Sequence, residues 1–186
     1  MADTDKLANM QPGVLHKLHF AVAHNLEDLE AARSTGRIST VAWLVRNLLE
    51  LAIWTAHCAQ SESNSKQFVL DAARDVHDAM NVPDGIFTED FSFRDARTES
   101  IQQARDAGFE TLDESFKRVS NVAQGLGRGQ EFKSLNKLLS KFAHPTALSV
   151  IDDNSKANEV LKQKLFSLGH AMAKRTLIQI EDVLAK

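Results

Sequence analysis

Residues 39–60 read STVAWLVRNLLELAIWTAHCAQ, and this stretch decides the fold. Projected at about 100° per residue, Val41, Leu44, Val45, Leu48, Leu49, Leu51, Ala52, Ile53, Ala56 and Ala59 cover most of the circumference. A helix that is apolar almost all round belongs in the middle of a bundle, with other helices packed on most of its faces. Ser39, Arg46, Glu50 and His57 fall together in one narrow sector, flanked by Trp43 and Trp54. Such a stripe faces a cleft, a partner chain or solvent. Arg46, Asn47, Glu50 and His57 would be costly in hydrocarbon, so the stretch is not expected to span a membrane.

Working outward, the neighbouring segments also carry helical spacing. Leu15, Leu18, Val22, Leu26 and Leu29 predict a helix over 14–34, preceded by a flexible polar arm over 1–12 that Pro12-Gly13 closes. Phe68, Val69, Ala72, Val76 and Met80 predict a buried face on a helix over 65–81. Residues 82–97 then read as a long loop around Pro83-Asp84-Gly85, and its Phe87, Phe91 and Phe93 suggest a lid. One helix is expected from Thr98 to Leu126, with Ile101, Ala104, Gly108, Leu112, Val119 and Ala123 as its core stripe, ended by the glycines at 125, 127 and 129. A helix over 130–143 stops before Pro145, and a last one follows the 152–155 turn and carries Val160 through Leu184. Only 8 Gly and 3 Pro interrupt the 186 residues, which favours long helices over a many-turned β fold. The expectation is an all-α bundle of about six helices, folded as a single domain over 1–186 with the 39–60 helix buried at its centre.

The formal charge of −3 means that any binding of phosphates must use a local basic patch. The single cysteine, Cys58, lies in the apolar run and reads as a small buried hydrophobe. The N-terminal residues lack a basic region followed by an apolar core, so no signal peptide is expected and a cytoplasmic location is. Neither Glu-x-x-His nor His-Glu-x-x-His occurs, and Gly125-Leu126-Gly127-Arg128-Gly129 has no strand before it. No metal and no cofactor is expected.

Two edges carry chemistry. Arg46 and Glu50, four apart, either form an ion pair that orients the central helix or offer a guanidinium fork to an anionic ligand with Glu50 holding it. On the 130–143 helix Lys133, Lys137, Ser140 and His144 share one side, with Lys141 slightly aside. Pro145 leaves His144 at a helix C-terminus, where the ring either caps carbonyls or, favoured in its protonated form, serves general acid–base work on a phosphodiester. His144, Arg46 and Glu50 are thus the candidate catalytic residues. Lys137, Ser140, Lys141 and His57 are the candidate ligand-binding ones.

Taken together, Arg46-Asn47-Leu48-Leu49-Glu50 on an early apolar helix and Leu139-Ser140-Lys141-Phe142-Ala143-His144-Pro145-Thr146 far downstream resemble a pattern in bacterial helical proteins. Those proteins are similar to the HEPN superfamily, the higher-eukaryote and prokaryote nucleotide-binding helical domains. The resemblance spans roughly residues 38–150 and rests on two short motifs. It implies an RNA or nucleotide ligand, metal-independent ribonuclease activity in a toxin or phage-defence system, and a homodimer. The family's signature has an arginine and then a histidine with four to six residues between them, whereas here Lys137 holds the position with six residues between it and His144. Arg46 supplies the guanidinium only if the two helices face each other. The alternative is a non-catalytic helical interaction protein that uses the same residues as a structural network and pairs as a homodimer.

Overall fold

The computed structural model describes residues 10–79, 94–110, 117–144 and 156–186. Among them there are seven α-helices and no strand: α1 (Met10–Thr35), α2 (Ile38–Cys58), α3 (Glu62–Ala79), α4 (Arg94–Asp106), α5 (Val119–Gly125), α6 (Gly129–Ala143) and α7 (Lys156–Leu184). The protein is all-α, as the spacing predicts. No helix among the described residues is long and apolar enough to cross a membrane. The chain forms two compact units, one of Met1–Val14 and Cys58–Lys117, the other of Leu15–His57 and Arg118–Lys186.

In the second unit α2 is the central helix. Ile38, Val41, Ala42, Leu44, Val45, Leu48, Leu49 and Ile53 are all buried in a core with Val22 and Leu29 of α1, Phe132, Leu139 and Phe142 of α6, and Leu165 and Met172 of α7. Gly169 in mid-α7 marks the closest approach: a Cβ there would lie 2.8 Å from both Leu29 Cδ2 and Val45 Cγ2. Glycine weakens a helix interior by roughly 1 kcal/mol, and here that cost permits three helices to meet. His170, one residue on, stacks on Phe166 and pairs with Glu30 at 3.2 Å.

Among the described residues of the first unit, Leu70, Ala73 and Ala104 form a core cluster with Phe109 packed on it. The expected face of α3 is therefore corrected: Leu70 and Ala73, three apart, point inward against α4, while Ala72 and Val76 are exposed. Cys58 is fully buried, and burial pushes its thiol up to about 12, so it stays protonated and inert. Asp71 is buried too, accepting from Gln67 Nε2 at 3.1 Å and from the Lys117 N–H at 3.4 Å. Burial holds its carboxyl above the usual aspartate range.

Three boundaries differ from expectation. The arm is shorter, because α1 begins at Met10: the Glu62 carboxylate accepts from the Met10 and Gln11 N–H groups at 3.1 and 2.8 Å. An anion at a helix N-terminus satisfies otherwise orphaned donors and opposes the dipole, and Pro12 is tolerated in the first turn. The helix expected over 98–126 is two helices. α4 stops at Asp106, where Gly108 takes φ 89°, its N–H donates to Arg105 O at 2.9 Å, and the Phe109 N–H donates to Ala104 O at 3.0 Å. That is a Schellman ending, with Phe109 folding back on Ala104. α4 also starts at Arg94, inside the segment expected to be loop. The proposed lid residues Phe87, Phe91 and Phe93, and the 152–155 turn, lie outside the described residues.

Candidate functional site

The site is assembled from two helices of the second unit. α6 is strongly two-faced: Phe132, Leu139 and Phe142 enter the core, which turns Lys133, Lys137 and Lys141 outward and leaves Ser140 half-buried. His144 is the C-cap, with φ −107° and ψ 151°. Those are the extended angles that a following proline imposes, so Pro145 fixes where the helix ends and where the imidazole projects. On α2, Asn47 Nδ2 donates to Asn25 Oδ1 at 3.3 Å, and Asn25 Nδ2 donates to Ala21 O at 2.8 Å. This amide bridge ties α2 to α1 beside Arg46 and sets its rotation.

From these elements three of the predicted residues converge. Arg46 Nη1 lies 3.0 Å from His144 Nε2, across 98 residues of chain, and Arg46 Nε donates to Glu50 Oε1 at 3.2 Å. The guanidinium is half-buried between a carboxylate and an imidazole, at a surface that solvent reaches. A guanidinium has only donors, so in this contact His144 Nε2 is the acceptor and Nδ1 carries the ring proton. Glu50 takes one edge of the fork; Nη1 and the imidazole form the outer, reachable edge.

The other predicted residues lie elsewhere. Lys137 lines a groove between α5 and α6. His57 sits eleven residues beyond Arg46, about 16 Å along the helix axis, and is only 9% exposed. Its ring packs edge-on against Trp54, 6.0 Å between centroids. Trp43 is 52% exposed and lies three residues before Arg46, on the same side of α2 as Arg46 and Glu50. Of the two tryptophans that flank the stripe, Trp54 is packed against the core and Trp43 is exposed. Asn25 was legible only as a polar residue amid the Val22, Leu26 and Leu29 stripe. Among the described residues no group of three or more His, Cys, Asp and Glu side chains is placed to hold a metal ion. No protein-family model, no curated protein and no solved structure matches the chain.

Proposed function

We propose that the Arg46–Glu50–His144 cluster binds a phosphodiester of RNA and cleaves it without a metal ion, in keeping with the HEPN-like pattern of the two motifs. The reading rests on one observation, the 3.0 Å contact that unites the two motif-bearing helices at an exposed edge. A guanidinium beside a neutral imidazole suits this reaction. The phosphate draws the Arg46 N–H away from His144 Nε2, whose freed lone pair takes the proton of the ribose 2′-hydroxyl as the 2′-oxygen attacks phosphorus. The bond to the 5′-oxygen breaks, leaving a 2′,3′-cyclic phosphate, and the departing oxygen takes a proton from solvent. Arg46 neutralises the charge that builds on the phosphoryl oxygens, and Glu50 holds the fork in register. Trp43, beside them, offers an exposed indole on which an unpaired base can stack.

The test is cleavage of single-stranded RNA in EDTA. His144→Ala is expected to lower the rate about 100-fold or more with an unchanged thermal midpoint, since the ring is at the surface. Equal cleavage by wild type and His144→Ala ends the nuclease reading. Arg46→Ala separates binding from chemistry through its RNA affinity per folded molecule.

A second reading, a homodimeric interaction protein, is favoured by the exposure of Trp43, Phe20 and Ile178 in the second unit. Large apolar side chains left on a surface often mark a contact with another chain. Sedimentation at micromolar concentration decides it, because a monomer there removes this reading.

A further inference from the structure

The groove between α5 and α6 has a cavity volume near 830 Å³ and belongs wholly to the second unit. Four carboxamides, Asn121, Gln124, Gln130 and Asn136, line it together with Lys133 and Lys137. That composition is unusual for a packing defect, which would be apolar. Carboxamides each offer donors and an acceptor, the pairing code of a heterocyclic base edge. Two lysines four apart on one helix add a local positive charge, and neither is in an ion pair among the described residues. The one carboxylate in the first turn of α6, Glu131, is taken by Arg128 through bonds of 2.8 and 3.0 Å, so it does not cancel them.

Two further features point to an occupant. Asn136 Oδ1 is buried and meets no hydrogen-bond donor among the described residues. A buried acceptor left this way is costly, and such groups call for a partner. The start of α6, at Gly129 and Gln130, also opens into the groove, and its N-cap residue Arg128 makes no side-chain cap. Uncapped first-turn amides at a helix N-terminus attract phosphate.

We infer that this groove is a nucleotide subsite, taking the base of a single-stranded RNA against the carboxamides around Asn136 and its phosphate against Lys133, Lys137 and the start of α6. It deepens, and as an RNA subsite rests on, the reading of the Arg46–His144 cluster as acting on RNA. Lys137 and His144 share one side of α6 and are separated by about 10 Å along its axis, a little more than one nucleotide step of an extended strand. The groove therefore selects the nucleotide next to the one at the cluster.

The probes are the four 5′-mononucleotides and inorganic phosphate, read by backbone amide shifts of the full chain and of His144→Ala. A nucleotide is expected to move the amides of 121–137 in both proteins, more for one base than the others. Phosphate alone is expected to move only those near Gly129 and Lys133. Asn136→Ala should weaken nucleotide binding about tenfold and leave phosphate binding unchanged, the size of one lost hydrogen bond in a desolvated site. Lys133→Ala should weaken both. The inference falls if nucleotides leave 121–137 unmoved, or if Asn136→Ala binds like wild type, which would reduce the groove to a phosphate site. It stands if the groove binds nucleotide while no RNA is cleaved, an outcome that sinks only the catalytic reading.

Discussion

In the first unit the Glu62 carboxylate meets two backbone amides, those of Met10 and Gln11, whereas in the second the Glu50 carboxylate meets a side chain, the guanidinium of Arg46. Both are half-buried glutamates on helices. Glu62 completes the start of α1, so its charge is consumed in holding secondary structure. Glu50 leaves the outer edge of Arg46 directed at His144 and solvent. The neighbours of Glu62 at the end of α2 extend the contrast. Gln11 Nε2 and Ser65 Oγ both donate to Cys58 O, at 2.6 and 3.2 Å, closing the end of α2 with its own backbone as the target. Around Glu62 the polar groups serve the backbone, and around Glu50 they serve each other at a surface. Only the latter arrangement leaves bonding capacity for a ligand.

Three substitutions break or sharpen this contrast. The largest effect on folding is expected for Gly169→Val in the second unit. Its side chain would enter space held by Leu29 and Val45, both fully buried, at a cost of about 2–3 kcal/mol. Chemical denaturation measures it, and a variant as stable as wild type would show that the α1–α2–α7 contact yields easily. Glu62→Ala comes next, at about 1 kcal/mol, with RNA binding per folded molecule unaffected. If Glu62→Ala instead weakened RNA binding, the division of labour between the two glutamates would be lost.

The smallest effect is a pH dependence. Burial raises the Asp71 pKa above its ordinary value of 3.8, so the native state holds this proton more firmly than the unfolded chain. The associated stability is complete below that ordinary value and is lost as pH rises through the higher native one. Asp71→Asn removes the dependence and keeps an acceptor for Gln67. The thermal midpoint of the variant relative to wild type should therefore climb from pH 3.5 to pH 7. A difference that stays flat over this range would mean that Asp71 is ionised in the native state without penalty.

Much of the fold could be read from spacing. The apolar run over 39–60 identified the central helix, the leucines of 14–34 identified α1, and the glycines at 125–129 marked the end of α5, where Gly127 takes φ 73°. Legibility failed where the decisive partner is remote or the cue is ambiguous. Nothing near Met10 announces a helix start, because its cap comes from Glu62, 52 residues on. Gly108 falls on the helical stripe with Ile101 and Ala104, and only the pairing of Gly108 with an apolar Phe109 carries the ending. At the site, each edge was legible separately: Arg46 and Glu50 from their spacing, His144 from Pro145. Their meeting was not, since helical periodicity fixes a residue's angle about its own axis and says nothing of which neighbour that angle faces. For the same reason the position of His57 within the polar sector did not foretell that its end of α2 is covered.

The 98-residue separation of Arg46 and His144 has a consequence for how the site comes into being. During synthesis the Arg46–Glu50 pair forms as soon as one turn of α2 exists, because its partners are four apart. The imidazole arrives only after α6 has emerged and the long intervening loop has closed, a step whose entropy is met by the core contacts of Phe132, Leu139 and Phe142. A growing chain thus carries half of the cluster while the next 98 residues are made, and acquires the other half after them. Whatever the cluster does, it begins only once α6 has packed against α2.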